Sequence, residues 1–498
     1  MKKAKKIASL ALAALMGASA LSVASGCQGG GAASSAAPAA ASSQAAAASS
    51  EAAPASSAAA SSAAAPEGKV LNIYVWNNEF QSRFNTYYPE VQSVAKDLST
   101  TTLKDGTTVK WTINASDNNN YQNKLDAALQ NQDSAAADDK IDIFLVEADY
   151  ALKYVNSDYT LDVKKDIGLT DDDLSQQYKY TKDIVTDKNG AQKGTTWQAT
   201  PGLFAYRRSY AKKILGTDDP TKVQDQLSDW NKFATAAEKA KAQGYKMLSG
   251  YDDSFRVFSN NVSAPFVSGT TITIDPNIMN WVKQTKDFTE KGYNNKTHGL
   301  FGSTDWSKDQ GPTAKVFGFF YSTWGINFTL EGNSLAKPTN EGGKEQVGNG
   351  AFGDWAVCPG PQSWYWGGTW ICGCKGSDNL GTINKVMKAL TCNKDIMKQI
   401  TLKEQDYTNN QAAMEEVANS DFKSPFLGGQ NHIKLFADAA KKIDMSKSGP
   451  YDQGITDSLK LAFVDYFNGT IDEAKAKANF EKAIKEKYPE LTDVKWPS

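Results

Sequence analysis

Between residues 69 and 150 the chain alternates strand-like and helix-like segments, and that alternation restricts its fold more than any other feature. Residues 69–76 (KVLNIYVW) are dense in β-branched and aromatic side chains and read as a buried strand. Asn77-Asn78-Glu79-Phe80 follows, then an expected helix over about 82–98. Residues 108–114 alternate as a second strand. Asp117-Asn118-Asn119-Asn120 supplies a turn and cap for a helix that places Tyr121, Leu125 and Leu129 on one face. Residues 141–146 (IDIFLV) form the third strand and end in Glu147-Ala148-Asp149-Tyr150. Strand, helix, strand, helix, strand implies an α/β fold with a parallel sheet covered on both faces. Ligands of such sheets collect where the strands' carboxyl ends stop. Asn78, Glu79 and Asp149 stand at two of those ends, although helix capping is the other common use of such residues.

A second concentration of information lies at Trp364-Tyr365-Trp366-Gly367-Gly368-Thr369-Trp370, which holds three of the chain's 12 tryptophans. Pro359-Gly360-Pro361 turns the chain into it, and Gly367-Gly368 allows a close backbone approach. Flat aromatic faces beside a pliable backbone suit a pyranose ring, whose C–H faces stack on indole. A Trp-rich core strand is the other reading of this run. Trp281 falls in a helical pattern, and Trp111 and Trp355 in strand-like runs, so packing is expected for all three.

The N-terminus carries an address. Lys2, Lys3, Lys5 and Lys6 precede an apolar stretch over 7–20 that is too short to span a bilayer comfortably. Small residues then lead into Cys27, and the segment resembles a bacterial lipoprotein lipobox, so 1–26 is expected to be a lipoprotein signal peptide and Cys27 the lipidated residue. Residues 27–68 are almost wholly Ala, Ser, Gly and Pro and cannot bury enough apolar surface to offset ordering, so a disordered tether is expected. The implied location is the outer face of the plasma membrane of a Gram-positive cell. The 430 or so remaining residues suggest two lobes.

Charge and scarce residues exclude several functions. Setting aside the four signal lysines leaves 50 basic against 56 acidic residues, with no basic stripe for nucleic acid. The chain has two histidines, His298 and His432, and neither lies in a nucleophile elbow or zinc-protease context. Both are expected at the surface. Cys358, Cys372, Cys374 and Cys392 fit no zinc-ribbon or redox spacing and are expected as buried free thiols, with one disulfide as the alternative. Thr170-Asp171-Asp172-Asp173 lacks calcium-loop spacing and reads as a helix start. No cofactor and no metal is expected.

Four segments share a resemblance. Residues 190–208 (GAQKGTTWQATPGLFAYRR) resemble the crossing strand of family 1 extracellular solute-binding proteins, the carbohydrate-binding components of ABC importers typified by maltose-binding proteins. Residues 319–325 (FFYSTWG) resemble that family's small-residue-then-Trp segment, 354–361 (DWAVCPGP) its return crossing, and 463–489 its closing helices. Within the last, Gly469 reads as a helix C-cap and Thr470 with Glu473 as a capping box. The similarity spans most of 69–498 and is weakest over 250–310.

The resemblance implies a two-lobed, periplasmic-binding-protein-like fold of type II, with a mostly parallel sheet in each lobe and a hinge of several crossovers. The first lobe would comprise 69–193 and 361–408, and the second 194–360 and 409–498. Crossings are expected near 194–201, 358–361 and 407–410. A carbohydrate, expected to be an oligosaccharide, would lie between the lobes. Trp76, Trp197, Trp324, Trp364 and Trp366 would stack on it, Glu79, Asp149 and Asp252 would accept from its hydroxyls, and Asn78 and Tyr121 would add polar contacts. The partners implied are the importer's permease subunits and, through the lipid, the membrane; the protein itself is expected to be a monomer and not an enzyme. A lipid-anchored glycoside hydrolase with a carboxylate pair is the alternative from another class.

Overall fold

The computed structural model describes residues 67–497; the signal-like segment, Cys27 and nearly all of the Ala/Ser-rich tether lie outside the described residues. Glu67, which composition assigns to the tether, is already anchored to the folded part. The Glu67 carboxylate accepts from the backbone N–H groups of Gly381 (2.6 Å) and Thr382 (2.9 Å), at the positive end of the helix Leu380–Met387.

The chain opens with β1 (Val70–Val75), β2 (Val91–Val94), β3 (Thr100–Leu103), β4 (Thr108–Ile113), β5 (Ile143–Glu147) and β6 (Thr195–Thr196). It continues through β7 (Gly202–Arg207), β8 (Leu248–Gly250), β9 (Val267–Ser268), β10 (Thr271–Thr273), β11 (Asn294–Thr297), β12 (Gly318–Ser322) and β13 (Trp355–Cys358). Next, β14 (Thr369–Gly373) returns to the first sheet, and β15 (Asp493–Lys495) closes the set. The first sheet has the order β2-β3-β4-β1-β5-β14-β6. In the second half β7 is flanked by β12 and β13, β8 pairs with β11, and β10 lies between β9 and β15.

The α/β class is as expected, but the sheets are mixed rather than mostly parallel. At the centre of the first sheet β1 pairs in parallel with β4 and β5. Around it β2–β3, β3–β4, β5–β14 and β6–β14 are antiparallel. One cause is local. The helix expected over 82–98 spans only Glu79–Tyr87, because Pro89 disfavours helical backbone at the residue before it, and 91–103 form a hairpin instead. The other cause is global: β14 enters from the second half, against the direction of β5. Both strands flanking β7 also run antiparallel to it.

Packing follows the sequence pattern at most aromatic positions. Tyr121, Leu125 and Leu129 are the buried face of the helix Asn120–Gln130. Trp281 and Trp355 are buried, and Trp111 packs edge-on against Phe80 and Phe84. Thr170 and Asp173 do exchange capping bonds, Asp173 N to Thr170 Oγ1 and Thr170 N to Asp173 Oδ2, but around a turn rather than a helix. Gly469 adopts the left-handed C-cap at φ 80°, whereas the last helix, Glu473–Lys487, is capped by Asp472, which accepts from Lys475 N, and not by a Thr470–Glu473 box.

His432 is not at the surface. It is fully buried at the start of the helix His432–Ala440, with Nε2 3.1 Å from the carbonyl of Gln405, and burial pulls its pKa down to about 4. His298 is partly exposed and pairs with Asp252 at 3.1 Å. The four cysteines among the described residues are free thiols; Cys358, Cys372 and Cys374 are buried, and Cys392 is partly so. Among the described residues no helix is long and apolar enough to cross a membrane.

Candidate functional site

Three passages of chain join the two sheet systems, and backbone bonds tie them together. Isolated bridges link Gln198 to Thr408 and Pro201 to Tyr365. Trp366 N donates to Thr200 O (3.2 Å), Thr200 Oγ1 to Gly367 O (2.8 Å), and Asn409 N to Trp197 O (2.8 Å). The second passage falls later than the 358–361 expected from sequence. Tyr365 N still bonds Asn260 in the second half (2.8 Å), and β14 begins only at Thr369.

The site gathers where β5 ends beside this passage. Glu147, the last residue of β5, is in register with Thr369 of β14. Gly367 lies just before, at φ 74°, and a Cβ there would sit 3.0 Å from Trp324 Nε1 and 3.5 Å from Glu147 Oε1. Glycine at this position therefore lets an indole and a carboxylate close on the same backbone atom. Trp324 Nε1 donates to Trp366 O (3.0 Å), and the two indoles meet edge to face at 5.1 Å. Trp76, one residue past β1, meets Tyr150 at 6.4 Å and Tyr121 at 5.3 Å. Trp76 and Trp324 are both partly exposed, while Trp366 is nearly buried.

An ion pair spans the site. The Arg256 guanidinium, on the short helix Phe255–Ser259, donates through Nη1 to Asp149 Oδ1 (2.9 Å) and through Nη2 to Oδ2 (2.5 Å), and lies 5.4 Å from the Trp366 ring centre. Burial acts to raise the Asp149 carboxyl, but the facing guanidinium outweighs it and holds the group below the usual range. Glu147 moves the other way. Burial, reinforced by the Asp149 charge, lifts it well above an ordinary carboxylate, and its Oε2 accepts from Asp149 N (2.7 Å). The pair thus presents one ionised acceptor and one carboxyl able to donate.

Glu79 faces the hinge. Its Oε1 accepts from Gln198 Nε2 (3.0 Å), and the same nitrogen reaches Asp406 Oδ2 (3.2 Å). Burial pushes Glu79 up to about 7, opposed by Arg83, which is itself paired with Glu404 at 3.2 Å. Asn78 precedes the helix Glu79–Tyr87 without capping it through its side chain.

Four of the expected residues stand elsewhere. Trp197 is 1% exposed and stacks on Phe80 at 5.3 Å. Trp364 is 1% exposed and lies against Gly202, where a Cβ would fall 2.0 Å from Trp364 Cε2. The Tyr121 hydroxyl donates to Leu145 O (2.6 Å) and accepts from Leu145 N (3.2 Å), which fixes it within the first sheet's interior. Asp252 is 3% exposed; its Oδ2 accepts from Gly299 N (2.6 Å) and from His298. Trp197 and Trp364 are thus used in packing, Tyr121 in anchoring a strand and Asp252 in anchoring a loop, although Trp197 Nε1, Trp364 Nε1 and Asp252 Oδ1 are left buried without a hydrogen-bond partner. The sequence places Glu147 and Tyr150 at a strand end and Arg256 in a polar-aromatic segment, but names none of the three as a binding residue. A usable signal existed for the last: Arg256 is one of only four arginines in the chain and ends a polar-aromatic segment.

No protein-family profile matches the chain, and no curated protein sequence does either. Solved structures do match. An extracellular solute-binding protein of family 1 aligns over 85% of this chain and all of its own, at TM-score 0.63 and 17% identity. An ABC transporter associated binding protein from Bifidobacterium animalis subsp. lactis, in complex with β-1,6-galactobiose, covers 86% and 99% at TM-score 0.61 and 16% identity. The galacto-N-biose-/lacto-N-biose I-binding protein from Bifidobacterium longum, in complex with lacto-N-biose, covers 86% and 98% at 0.57 and 14%. At such identities the likeness establishes the architecture: this chain has the two-lobed fold of the ABC-transporter solute-binding proteins.

Proposed function

We propose that this chain is an extracellular solute-binding protein that captures a carbohydrate between its two halves and delivers it to an ABC importer. The observation that carries the reading is the meeting of Trp324 and Trp366 beside the carboxylates of Glu147 and Asp149 at the end of β5, with Trp76 against the neighbouring Tyr150, beside the passages that join the halves. Indole faces take the apolar sides of a sugar ring, and charged or donating carboxyls take its hydroxyls. The sugars named for the two bifidobacterial structures agree with that chemistry. A ligand touching both halves favours closure by its differential affinity for the closed form, which the permease subunits can read. Lipidation at Cys27 would hold the monomer at the outer face of a Gram-positive plasma membrane, with the Ala/Ser-rich segment as its tether.

Titration of the purified protein with di- to hexasaccharides, followed by tryptophan emission and calorimetry, is expected to show saturable binding with the sugar recovered intact. Absence of binding across the panel, or recovery of cleaved products, would overturn the proposal. Mass analysis of the N-terminal peptide from cells is expected to find a diacylglyceryl group on Cys27 and to lose it in Cys27→Ala.

A further inference from the structure

The aromatic surface does not stop at Trp324. Phe301 meets the Trp324 indole edge-on at 5.7 Å and stacks with Phe328 at 6.1 Å and an interplanar angle of 29°. Phe328 also meets Trp324 at 6.3 Å. Unlike Trp366, both phenyl rings face solvent: Phe301 is 53% exposed and Phe328 41%. Trp324, Phe301 and Phe328 thus form a compact three-ring cluster with Trp366 behind Trp324, and the two phenyl rings widen the aromatic surface outward by about one hexose length. Exposed aromatics scattered singly need no explanation, but two in stacked contact with each other and with the site's own indole do.

The backbone beneath them is also unusual. Residues Ile326–Leu330, separated from Trp324 by Gly325, form a π-helical turn, a rare geometry that recurs at functional sites. The turn carries Phe328, while Asn327 Nδ2 is anchored on Glu331. Phe301 arrives from an unrelated segment, just before the helix Thr304–Asp309. Two separate parts of the sequence therefore supply the outer rings.

We propose that the site extends over Phe301 and Phe328, and that the preferred cargo is a linear glycan long enough to lay its outer units on these rings. This rests on the carbohydrate-binding reading above and adds a length requirement to it. The inner units occupy the region of Glu147, Asp149 and Trp366, and an outer unit rests on the exposed phenyl pair without being enclosed. Affinity then rises with chain length until the phenyl pair is covered and levels off beyond it.

The test is calorimetry on the full chain and on Phe301→Ala/Phe328→Ala, using malto-, cello- and β-1,6-galacto-oligosaccharides of two to six units. For whichever series binds, the wild type is expected to tighten by about tenfold between the disaccharide and the longer members. The double variant should lose that gain while keeping its disaccharide affinity within about twofold and its melting temperature unchanged. A wild type that binds disaccharides but gains nothing with length overturns the extension alone. Equal losses for short and long glycans in the variant also overturn it, because the rings then act on the inner site. A wild type that binds no member of any series overturns the parent reading and the extension together.

Discussion

Replacing Arg256 by glutamine separates the two halves' affinity for each other from their individual stability. The guanidinium makes two bonds to Asp149, at 2.9 and 2.5 Å, with side-chain exposures of 20% for Arg256 and 28% for Asp149. Removing one partner of a fully buried pair costs about 3–5 kcal/mol, chiefly because a desolvated charge is left behind. Partial exposure places this pair near the lower end, about 3 kcal/mol, and the lost Trp366 contact adds about 0.5–1 kcal/mol, for a total of about 3.5–4 kcal/mol. Asp149 follows β5 in the first sheet, whereas Arg256 belongs to the half built around β7. Separation of the halves would hydrate the orphaned Asp149 and relieve the cost. The variant is therefore expected to open rather than unfold, with a shift of more than about a hundredfold in the closed-to-open ratio. Small-angle scattering of the ligand-free protein should report a larger radius of gyration for Arg256→Gln and for Asp149→Asn. A double-mutant cycle on thermal stability should return a coupling of about 2 kcal/mol or more. An unchanged radius together with a coupling under about 0.5 kcal/mol would refute the assignment of this pair as the contact that holds the halves together.

Three further outcomes follow from the same contacts. Trp197→Ala empties an interior position and should cost about 3–5 kcal/mol in denaturant titration, whereas Trp324→Ala should cost far less stability but weaken sugar binding about tenfold. Gly202→Ala drives a methyl group into Trp364 and should lower stability by about 1–3 kcal/mol, read as a fall in melting temperature with native-like circular dichroism. Buried neutral His432 has a folded pKa depressed to about 4, so its contribution is complete above its unfolded value of 6.5 and lost as pH falls through 4. The wild type should lose about 3 kcal/mol across that window, and His432→Gln should flatten the slope of stability against pH there.

Local pattern revealed the first sheet's central strands, the helix carrying Tyr121, and the strand ends where the site lies. It misjudged features that depend on distant chain. Nothing near Trp197 in the sequence distinguishes an indole stacked on Phe80 from one facing a sugar, because Phe80 comes from a distant helix, Glu79–Tyr87. Asp252 looked available until a loop residue, Gly299, and His298 were brought against it. Glu147 and Asp149 share a strand end in the sequence, yet Arg256, from the second half, holds Asp149 down while burial and the Asp149 charge lift Glu147. The parallel character of the sheet was overestimated for the same reason: the direction of β14 is set by where the chain returns from, not by its own residues. Pro89 is the exception, a purely local signal that should have ended the first helix.

The position of β14 between β5 and β6 has a consequence for biogenesis. As the polypeptide emerges from a ribosome or translocon, the first sheet can assemble only through β5, and its edge stays open until residues 369–373 arrive after the whole intervening excursion. Closing that gap requires contacts far apart in sequence, which slows folding and leaves a strand edge available to other nascent chains. A holding chaperone, or delayed folding during export, would protect that interval. Truncations ending before residue 369 should accumulate as aggregates rather than as a folded N-terminal fragment.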